Sequence, residues 1–305
     1  MKILLVNKYL YRKGGAETYF IKLGEYLKSL GNEVEYFGMA DERNCVGNRV
    51  EAYTENIDFH KKSLKHITYP FKIIYSVNAR KQIRKVLSDF KPDVVHLNNF
   101  NYQLTPSIIY EIKKRNIPIV YTAHDVQLVC PNHKLKNDYT DGLCRKCDGG
   151  KYFECVKNNC VHSSKIRSIL GAVEAWYYKL RHTYKMIDLT VCPSEFMEKE
   201  ISRNDDINGR TVTMYNFIDE IKPLGAECEN YVLYFGRYSE EKGISNLVKA
   251  AKKLSNIPFV FAGKGELENE VNSADNIKNV GFKTGDELRN IIEKALFTVL
   301  PAEWS

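Results

Sequence analysis

Short apolar segments alternate with longer, helix-patterned stretches along the whole chain, and this alternation constrains the fold more than any other feature. We predict nine strands, at residues 3–6, 34–37, 94–97, 119–122, 189–192, 212–215, 231–235, 259–262 and 297–300. Strands that are separated by helices pair in parallel, and the helices then cover both faces of the sheet. The predicted fold class is therefore α/β.

The 305 residues are enough for two separate hydrophobic cores. We predict a first domain at 1–220, a linker at 221–229 and a second domain at 230–305. The linker is assigned because Lys222-Pro223-Leu224-Gly225 has no periodicity and carries both Pro and Gly. With only three predicted strands, the second domain is short, and we expect it to be incomplete.

The composition is that of an ordinary globular protein, with 44% apolar and 27% charged residues. No apolar run approaches the roughly 20 residues that a membrane-spanning helix needs. The first apolar run stops at Asn7, and no small-residue cleavage site follows it. These features predict a cytosolic protein.

Two cations, Arg237 and Lys242, stand where the strand at 231–235 gives way to a helix at 243–254. Gly236 frees the backbone between strand and loop. A helix N-terminus at the carboxyl end of a parallel strand favours negative charge, and both side chains add donors to it. The segment therefore predicts a diphosphate site, and the alternative is a solvent-exposed pair of cations on a surface helix.

Two further segments lie at the carboxyl ends of predicted strands, where open α/β sheets bind ligands. Gly14 and Gly15 precede the first helix, and paired glycines let backbone N–H groups approach a ligand; a simple tight turn is the alternative. His124 and Asp125 follow the strand at 119–122. The loop is not G-x-G-x-x-G, and no acidic residue ends the second strand directly after Phe37, so the pattern disfavours a nicotinamide cofactor.

The string F-G-R-x-x-x-E-K-G, together with the Gly-Gly loop and Phe261-Ala262-Gly263-Lys264-Gly265, resembles glycosyltransferase family 4 over nearly the whole chain. The resemblance implies the GT-B fold, in which two Rossmann-like domains with parallel sheets face each other across a cleft. It also implies sugar transfer with retention from a UDP- or GDP-sugar, without a metal in catalysis. The family's Glu-x7-Glu carboxylates are not in this sequence, and we expect a complete protein to continue into them.

The resemblance also implies roles for individual residues. Arg237 and Lys242 would bind the donor diphosphate and stabilise the leaving group, and His124 would act near the transferred sugar, so these three are the predicted catalytic residues. The predicted donor-binding residues are Gly14, Gly15, Gly236, Arg237, Lys242, Gly263 and Gly265. The predicted acceptor-binding residues are Gly15, His124 and Asp125.

Five of the eight cysteines, with His162, fall in a predicted insertion at residues 130–162. Four of them, at spacings like those of structural zinc knuckles, are the predicted metal ligands: Cys144, Cys147, Cys155 and Cys160. Two disulfides or free thiols remain as alternatives. Similar insertions in the family suggest that this one shapes a lid over the acceptor.

The net charge of +7 gathers between residues 59 and 88, where eight cations meet no acidic residue: Lys61, Lys62, Lys65, Lys72, Arg80, Lys81, Arg84 and Lys85. Apolar residues are interleaved with them, which suits an anionic membrane surface or a lipid-linked acceptor. A nucleic-acid patch and a solvated helix face are the alternatives.

Three functional hypotheses follow. The first is a retaining glycosyltransferase in cell-surface polysaccharide synthesis, acting on a glycan or lipid-linked glycan and held peripherally on the inner face of the membrane. The second is a nucleotide-sugar epimerase of GT-B fold, for which no acid/base residues are identified. The third is a zinc-stapled nucleic-acid-binding protein, which leaves Arg237 and Lys242 without a purpose. We prefer the first and expect no nucleic-acid partner.

Overall fold

The computed structural model describes residues 1–56, 69–137, 142–218, 225 and 227–302. The chain forms two compact units, Met1–Phe217 and Ile218–Ser305. Most of the predicted linker at 221–229 lies outside the described residues, as do Lys61, Lys62 and Lys65 of the basic segment. Among the described helices, none is both long and apolar enough to cross a membrane.

The first unit is built on a six-stranded parallel sheet in the order β2-β1-β3-β4-β5-β6. Its strands are β1 (Lys2–Val6), β2 (Glu33–Phe37), β3 (Val94–Leu97), β4 (Ile119–Thr122), β5 (Leu189–Cys192) and β6 (Thr211–Thr213). Its helices are α1 (Gly15–Ser29), α2 (Tyr69–Ile74), α3 (Val77–Phe90), α4 (Ile108–Lys113), α5 (Phe153–Lys157), α6 (Lys165–Leu180) and α7 (Glu195–Ile201). The predicted α/β class is confirmed.

Alternate residues of β1 enter two different cores, because successive side chains of a strand point to opposite faces. Leu4 and Val6 belong to the core that includes α3 and α4, whereas Ile3 and Leu5 pack with Phe20 of α1. Both faces of the sheet are thus covered by helices, as expected for a parallel sheet. Consistent with this burial, β1 is an interior strand, between β2 and β3.

The sequence predicts that the cations of the basic segment have no acidic partners, but in the described part of this segment several of them do. Arg80 and Arg84 of α3 both donate to the carboxylate of Glu111, which is buried on α4. Burial raises the pKa of Glu111, but the two guanidinium groups outweigh it and bring the pKa to about 2. Lys72 lies 3.9 Å from Glu55. These arginines therefore tie two helices together and do not form an unopposed patch.

Within the first unit, the cysteine-rich insertion packs against α6 and α7. Cys147, Tyr152 and Cys155 form a small apolar cluster with Ala172 of α6. Arg145 donates to the fully buried carboxylate of Glu200 on α7, with Nε 3.0 Å from Oε2. Burying a carboxylate is costly unless it is paired, so this contact holds the insertion in place.

The second unit has a four-stranded parallel sheet in the order β10-β7-β8-β9. Its elements are β7 (Val232–Arg237), α8 (Ile244–Lys253), β8 (Phe259–Lys264), α9 (Glu268–Val271), β9 (Ile277–Asn279), α10 (Gly285–Lys294) and β10 (Phe297–Thr298). Sequence analysis missed β9, because only one of its three side chains is buried. It also ended the first strand of this unit too early, since β7 continues through Arg237.

Candidate functional site

Arg237 and Lys242 flank the turn between β7 and α8. Arg237 is the last residue of β7, and Lys242 closes a short 3₁₀ turn, Glu240–Lys242. Gly243 then adopts a left-handed conformation with φ 69° and lies against Pro301, so an added Cβ would meet the Pro301 carbonyl oxygen at 1.9 Å. Only glycine fits this position, and it sets the start of α8 directly after the two cations.

The charge at this turn is partly compensated within the protein. Arg237 Nη2 lies 2.8 Å from Glu241 Oε1, while the Arg237 side chain remains 66% exposed. Lys242 is also exposed. Both cations are therefore open to solvent at a helix N-terminus, as an anion site requires.

A third cation, Lys264, belongs to the same edge of the sheet. β7 and β8 pair in register through Gly236 opposite Gly263 and Arg237 opposite Lys264. Lys264 Nζ lies 5.2 Å from the centre of the Phe282 ring. The sequence alone gives Lys264 no role, because the register between β7 and β8 cannot be known before the strands are paired.

The predicted donor-binding glycines of this unit have a packing role. An added Cβ at Gly263 would lie 1.9 Å from the Gly236 carbonyl oxygen, and one at Gly265 would lie 2.2 Å from the Tyr238 carbonyl oxygen. The backbones of β7 and β8 therefore approach too closely for any side chain at these positions. Whether the same glycines contact a donor stays a prediction.

In the first unit, Gly14 and Gly15 lie at the N-terminus of α1. Gly14 has extended backbone and is the N-cap residue, and Gly15 is the first helical residue. The position of a Cβ at Gly15 is empty to 4 Å, whereas one at Gly14 would lie 3.3 Å from the Glu17 carboxylate. The space above Gly15 leaves room for a ligand.

His124 follows β4 and points its ring at two neighbouring elements. Its Nε2 lies 2.9 Å from Oδ1 of the buried Asn98, which follows β3, and its ring contacts Tyr19 of α1 edge-on at 5.3 Å. Burial lowers the pKa of His124 to about 4, so the imidazole is neutral near pH 7. With Nε2 donating to Asn98, Nδ1 is left as a hydrogen-bond acceptor.

Asp125 is held in a polar network beside His124. Its carboxylate accepts from the Gln127 N–H at 2.9 Å and lies 3.4 Å from His133 Nδ1. Burial raises the pKa of Asp125, but these contacts outweigh it, so the pKa lies below its ordinary value. His133 is also 3.1 Å from Asn101 Nδ2. Asp125 is thus an ionised group in a rigid setting.

Lys8 completes this network from the end of β1. Its Nζ donates to Asn101 Oδ1 at 3.0 Å and lies between the rings of Tyr9 and Tyr102, at 5.2 and 5.3 Å from their centres. Burial lowers the pKa of Lys8 to about 8, against the influence of Asp125. β1 lies between β2 and β3, so the order of connections reverses there, and such a switch point is where α/β sheets bind ligands.

Sequence analysis missed Lys8, Tyr102, His133 and Glu174. Glu174 is the one acidic residue of α6, and burial, together with the nearby Asp125, raises its pKa to about 7 against the opposing influence of His133. Tyr102 and His133 have positive φ angles of 59° and 62° and stack at 5.5 Å. Lys8 could have been found as a charged residue directly after the first strand. The contacts of the other three depend on tertiary packing.

The insertion cysteines surround one small cavity of about 10 Å³, which all five of them line: Cys130, Cys144, Cys147, Cys155 and Cys160. Burial raises the pKa of the Cys147 thiol to about 12. Within the described residues, no three His, Cys, Asp or Glu side chains are arranged to hold a metal ion. No disulfide is formed, and all eight cysteines of the chain lie in described segments. The geometry therefore gives the zinc prediction no direct support.

Comparison with known proteins places these two units in a family. The sequence model of Glycosyltransferase Family 4 matches residues 13–221, and that of Glycosyl transferases group 1 matches residues 217–304. An uncharacterized 42.6 kDa protein in the cps region of Klebsiella pneumoniae is 25% identical over 328 aligned positions, which cover 100% of this chain and 79% of that protein.

Many solved structures resemble the chain, including the following two. Sucrose-phosphate synthase from Thermosynechococcus elongatus superposes with a TM-score of 0.63 at 15% identity, covering 99% of this chain and 75% of its own. Anabaena HepE in complex with UDP superposes with a TM-score of 0.60 at 14% identity, covering 99% and 74%. The fold is that of the GT-B glycosyltransferases. Because the first family model spans more than half of the chain, this protein belongs to glycosyltransferase family 4 and is a transferase enzyme.

Proposed function

We propose that the protein is a retaining glycosyltransferase that moves a sugar from a UDP- or GDP-sugar to a glycan or lipid-linked glycan in cell-surface polysaccharide synthesis. The observation that carries the proposal is the set of cations at the carboxyl edge of the second sheet: Arg237, Lys242 and Lys264. The HepE structure contains UDP, and the Klebsiella relative is encoded in a cps region. Both agree with a nucleotide-sugar donor and a polysaccharide product.

In this proposal the second unit binds the donor, with the domain boundaries as predicted at 220 and 230. Arg237 and Lys242 donate to the diphosphate as negative charge develops on it, which removes the need for a metal in catalysis. Preorganised donors of this kind each contribute on the order of a hundredfold or more in rate. Gly236, Gly263 and Gly265 keep side chains away from the same edge.

The first unit would bind the acceptor and orient the transferred sugar. Neutral His124 has Nδ1 available to accept from a sugar hydroxyl, and Asn98 Nδ2 is buried with no partner in the described part of the chain. Asp125 and Lys8 supply an ionised acceptor and a cationic donor, and the space next to Gly15 is open. Sugars, which carry many hydroxyl groups, are bound by such mixed sets of donors and acceptors.

A structural zinc ion in the cysteine cavity is a further proposal. Its support is that five sulfurs line one cavity. The thiols would have to rotate towards a common point. Cys130 then joins Cys144, Cys147, Cys155 and Cys160 as a candidate ligand.

The experiment that tests the function is a donor screen with the purified protein. UDP and GDP are titrated by calorimetry, and a panel of their sugars is incubated with lipid-linked acceptors while nucleotide release is measured. We expect one of the two nucleotides to bind and its sugar to be transferred, with the anomeric configuration of the product retained by NMR. Inversion would contradict retention, and binding of neither nucleotide would contradict the donor site.

A further inference from the structure

Helix α6 exposes an apolar stripe to solvent. Five side chains share it, at spacings of three and four residues that place them on one face of a helix. Their exposed fractions are 72% for Ile166, 42% for Ile169, 40% for Val173, 38% for Trp176 and 79% for Leu180. The opposite face of α6 is occupied, since Ser168, Ala172 and Tyr178 are buried. A soluble helix normally turns polar residues outwards, so this stripe needs an explanation.

The exposed charges around the stripe all have one sign. The other exposed residues of α6 are Lys165 and Arg167, and Arg181 follows its end. The neighbouring α5 exposes Phe153 and Lys157. Glu174, the one acidic residue of α6, lies on the side towards Asp125 and His133. The exposed side chains of both helices are therefore apolar or cationic, while Glu154, the one acidic residue of α5, is half-buried with its Oε2 3.4 Å from Asn158 Nδ2.

We propose that this surface of α5 and α6 docks onto an anionic lipid bilayer. Apolar side chains that enter the acyl boundary, with cations at the headgroups, are the pattern of a helix that lies in a membrane interface. Trp176 suits that depth, because its indole is amphipathic. A second copy of this chain would bring cations against cations, and its net charge of +7 opposes self-association further.

This membrane contact is not part of the proposed function, and it lies on α5 and α6, away from the segment that the sequence suggested. The basic segment at 59–88 was the sequence-based candidate, but two of its arginines are bound to Glu111. The α6 surface has the further property that its inner side carries Glu174, next to Asp125 and His133. A bilayer under α6 would thus lie about one helix diameter, roughly 10 Å, from the proposed acceptor site.

The test is sedimentation of the intact protein with vesicles of phosphatidylglycerol and phosphatidylcholine. We expect the Ile166→Ser/Leu180→Ser variant to bind about tenfold or more weakly, since each lost apolar side chain removes buried area. The Lys165→Gln/Arg167→Gln variant should bind several-fold more weakly and with less salt dependence, at about 1 kcal/mol per cation near the surface. Leu30→Ser, at the end of α1 and 60% exposed, is the matched control and should bind as the wild type.

A second readout does not depend on affinity. With Trp304→Phe, Trp176 is the only remaining tryptophan of the two in the chain, and brominated lipids should quench its fluorescence. Circular dichroism checks that each variant is folded. The proposal is overturned by any of four results: no vesicle binding by the wild type, equal binding to pure phosphatidylcholine, unchanged binding of the apolar variant, or an unquenched Trp176. Self-association that the apolar variant abolishes would identify a second copy as the occupant instead.

Discussion

Arg237 and Lys264 are register partners at the carboxyl ends of β7 and β8, so two cationic side chains leave neighbouring strands at the same edge of the sheet. Lys242 follows at the turn into α8. Three cations from three positions in the sequence thus lie at the carboxyl edge of this sheet, and two of them flank the turn into α8. Within the described residues, Glu241 is the one carboxylate that forms an ion pair with Arg237.

Removing the cations of the second unit should reduce transfer. We expect Arg237→Ala and Lys242→Ala each to lower kcat/KM by about two orders of magnitude or more, because each donor stabilises charge on the leaving diphosphate. Steady-state kinetics with the donor found in the screen measures this. Lys253→Ala, an exposed lysine in the last turn of α8, is the control and should behave as the wild type. Wild-type turnover in both site variants would remove the assignment.

Replacing Lys8 should lower kcat/KM for the acceptor without changing the affinity for the donor nucleotide. Lys8→Met keeps the apolar stem between the two tyrosine rings and removes the ammonium that donates to Asn101. We expect kcat/KM for the acceptor to fall about tenfold or more, since an interaction with a charged group contributes about 1.5–3 kcal/mol. The affinity for the nucleotide, measured by calorimetry, should not change. A matching loss of nucleotide affinity would place Lys8 in the donor site.

His96 should make the protein less stable in mild acid. Burial and the nearby His124 lower the pKa of His96 to about 4, below its ordinary value near 6.5. The unfolded chain therefore takes up a proton as the pH falls below 6.5, while the folded protein does so only near 4, and stability is lost across this window. Between pH 7 and pH 5 the loss from this residue is roughly 2 kcal/mol.

Urea unfolding at pH 7 and pH 5 measures this loss. We expect His96→Gln, which can still hydrogen-bond to Thr122, to lose less stability than the wild type over the same interval. An equal loss in both proteins would show that His96 titrates alike in the folded and unfolded states. His124 shifts in the same direction, so the variant should keep part of the pH dependence.

The cysteine cavity should contain zinc in protein purified without added metal. We expect about one zinc per chain by elemental analysis, lost in Cys144→Ser, because removing a ligand abolishes a four-coordinate site. Cys228→Ser, an exposed cysteine of the second unit, is the control and should retain the metal. Absence of metal, with all the cavity thiols open to alkylation on unfolding, would leave the cavity as a cluster of protonated thiols.

The sequence was sufficient for the α/β class, the family, the placement of Arg237 and His124 at the ends of strands, and the placement of Lys242 and Gly15 at the starts of helices. Strand periodicity and glycine position are local signals, and the carboxyl ends of parallel strands meet at one edge whatever the details of packing. The parts that were missed depend on contacts between distant segments. Glu174 approaches Asp125 only because α6 packs beside the loop after β4. Likewise, Arg80 pairs with Glu111 only because α3 packs against α4.

The Glu241 carboxylate already occupies the position beside Arg237 where an anion would bind. An anion that arrives at Arg237 has to exchange places with a tethered carboxylate, so its apparent affinity is a difference between two ion pairs. A small inorganic ion gains little by this exchange, because it replaces one contact with another of the same kind. A diphosphate that spans Arg237, Lys242 and the start of α8 gains from all three. Because Glu241 competes for Arg237, the site favours a large anion such as a diphosphate over a small inorganic ion.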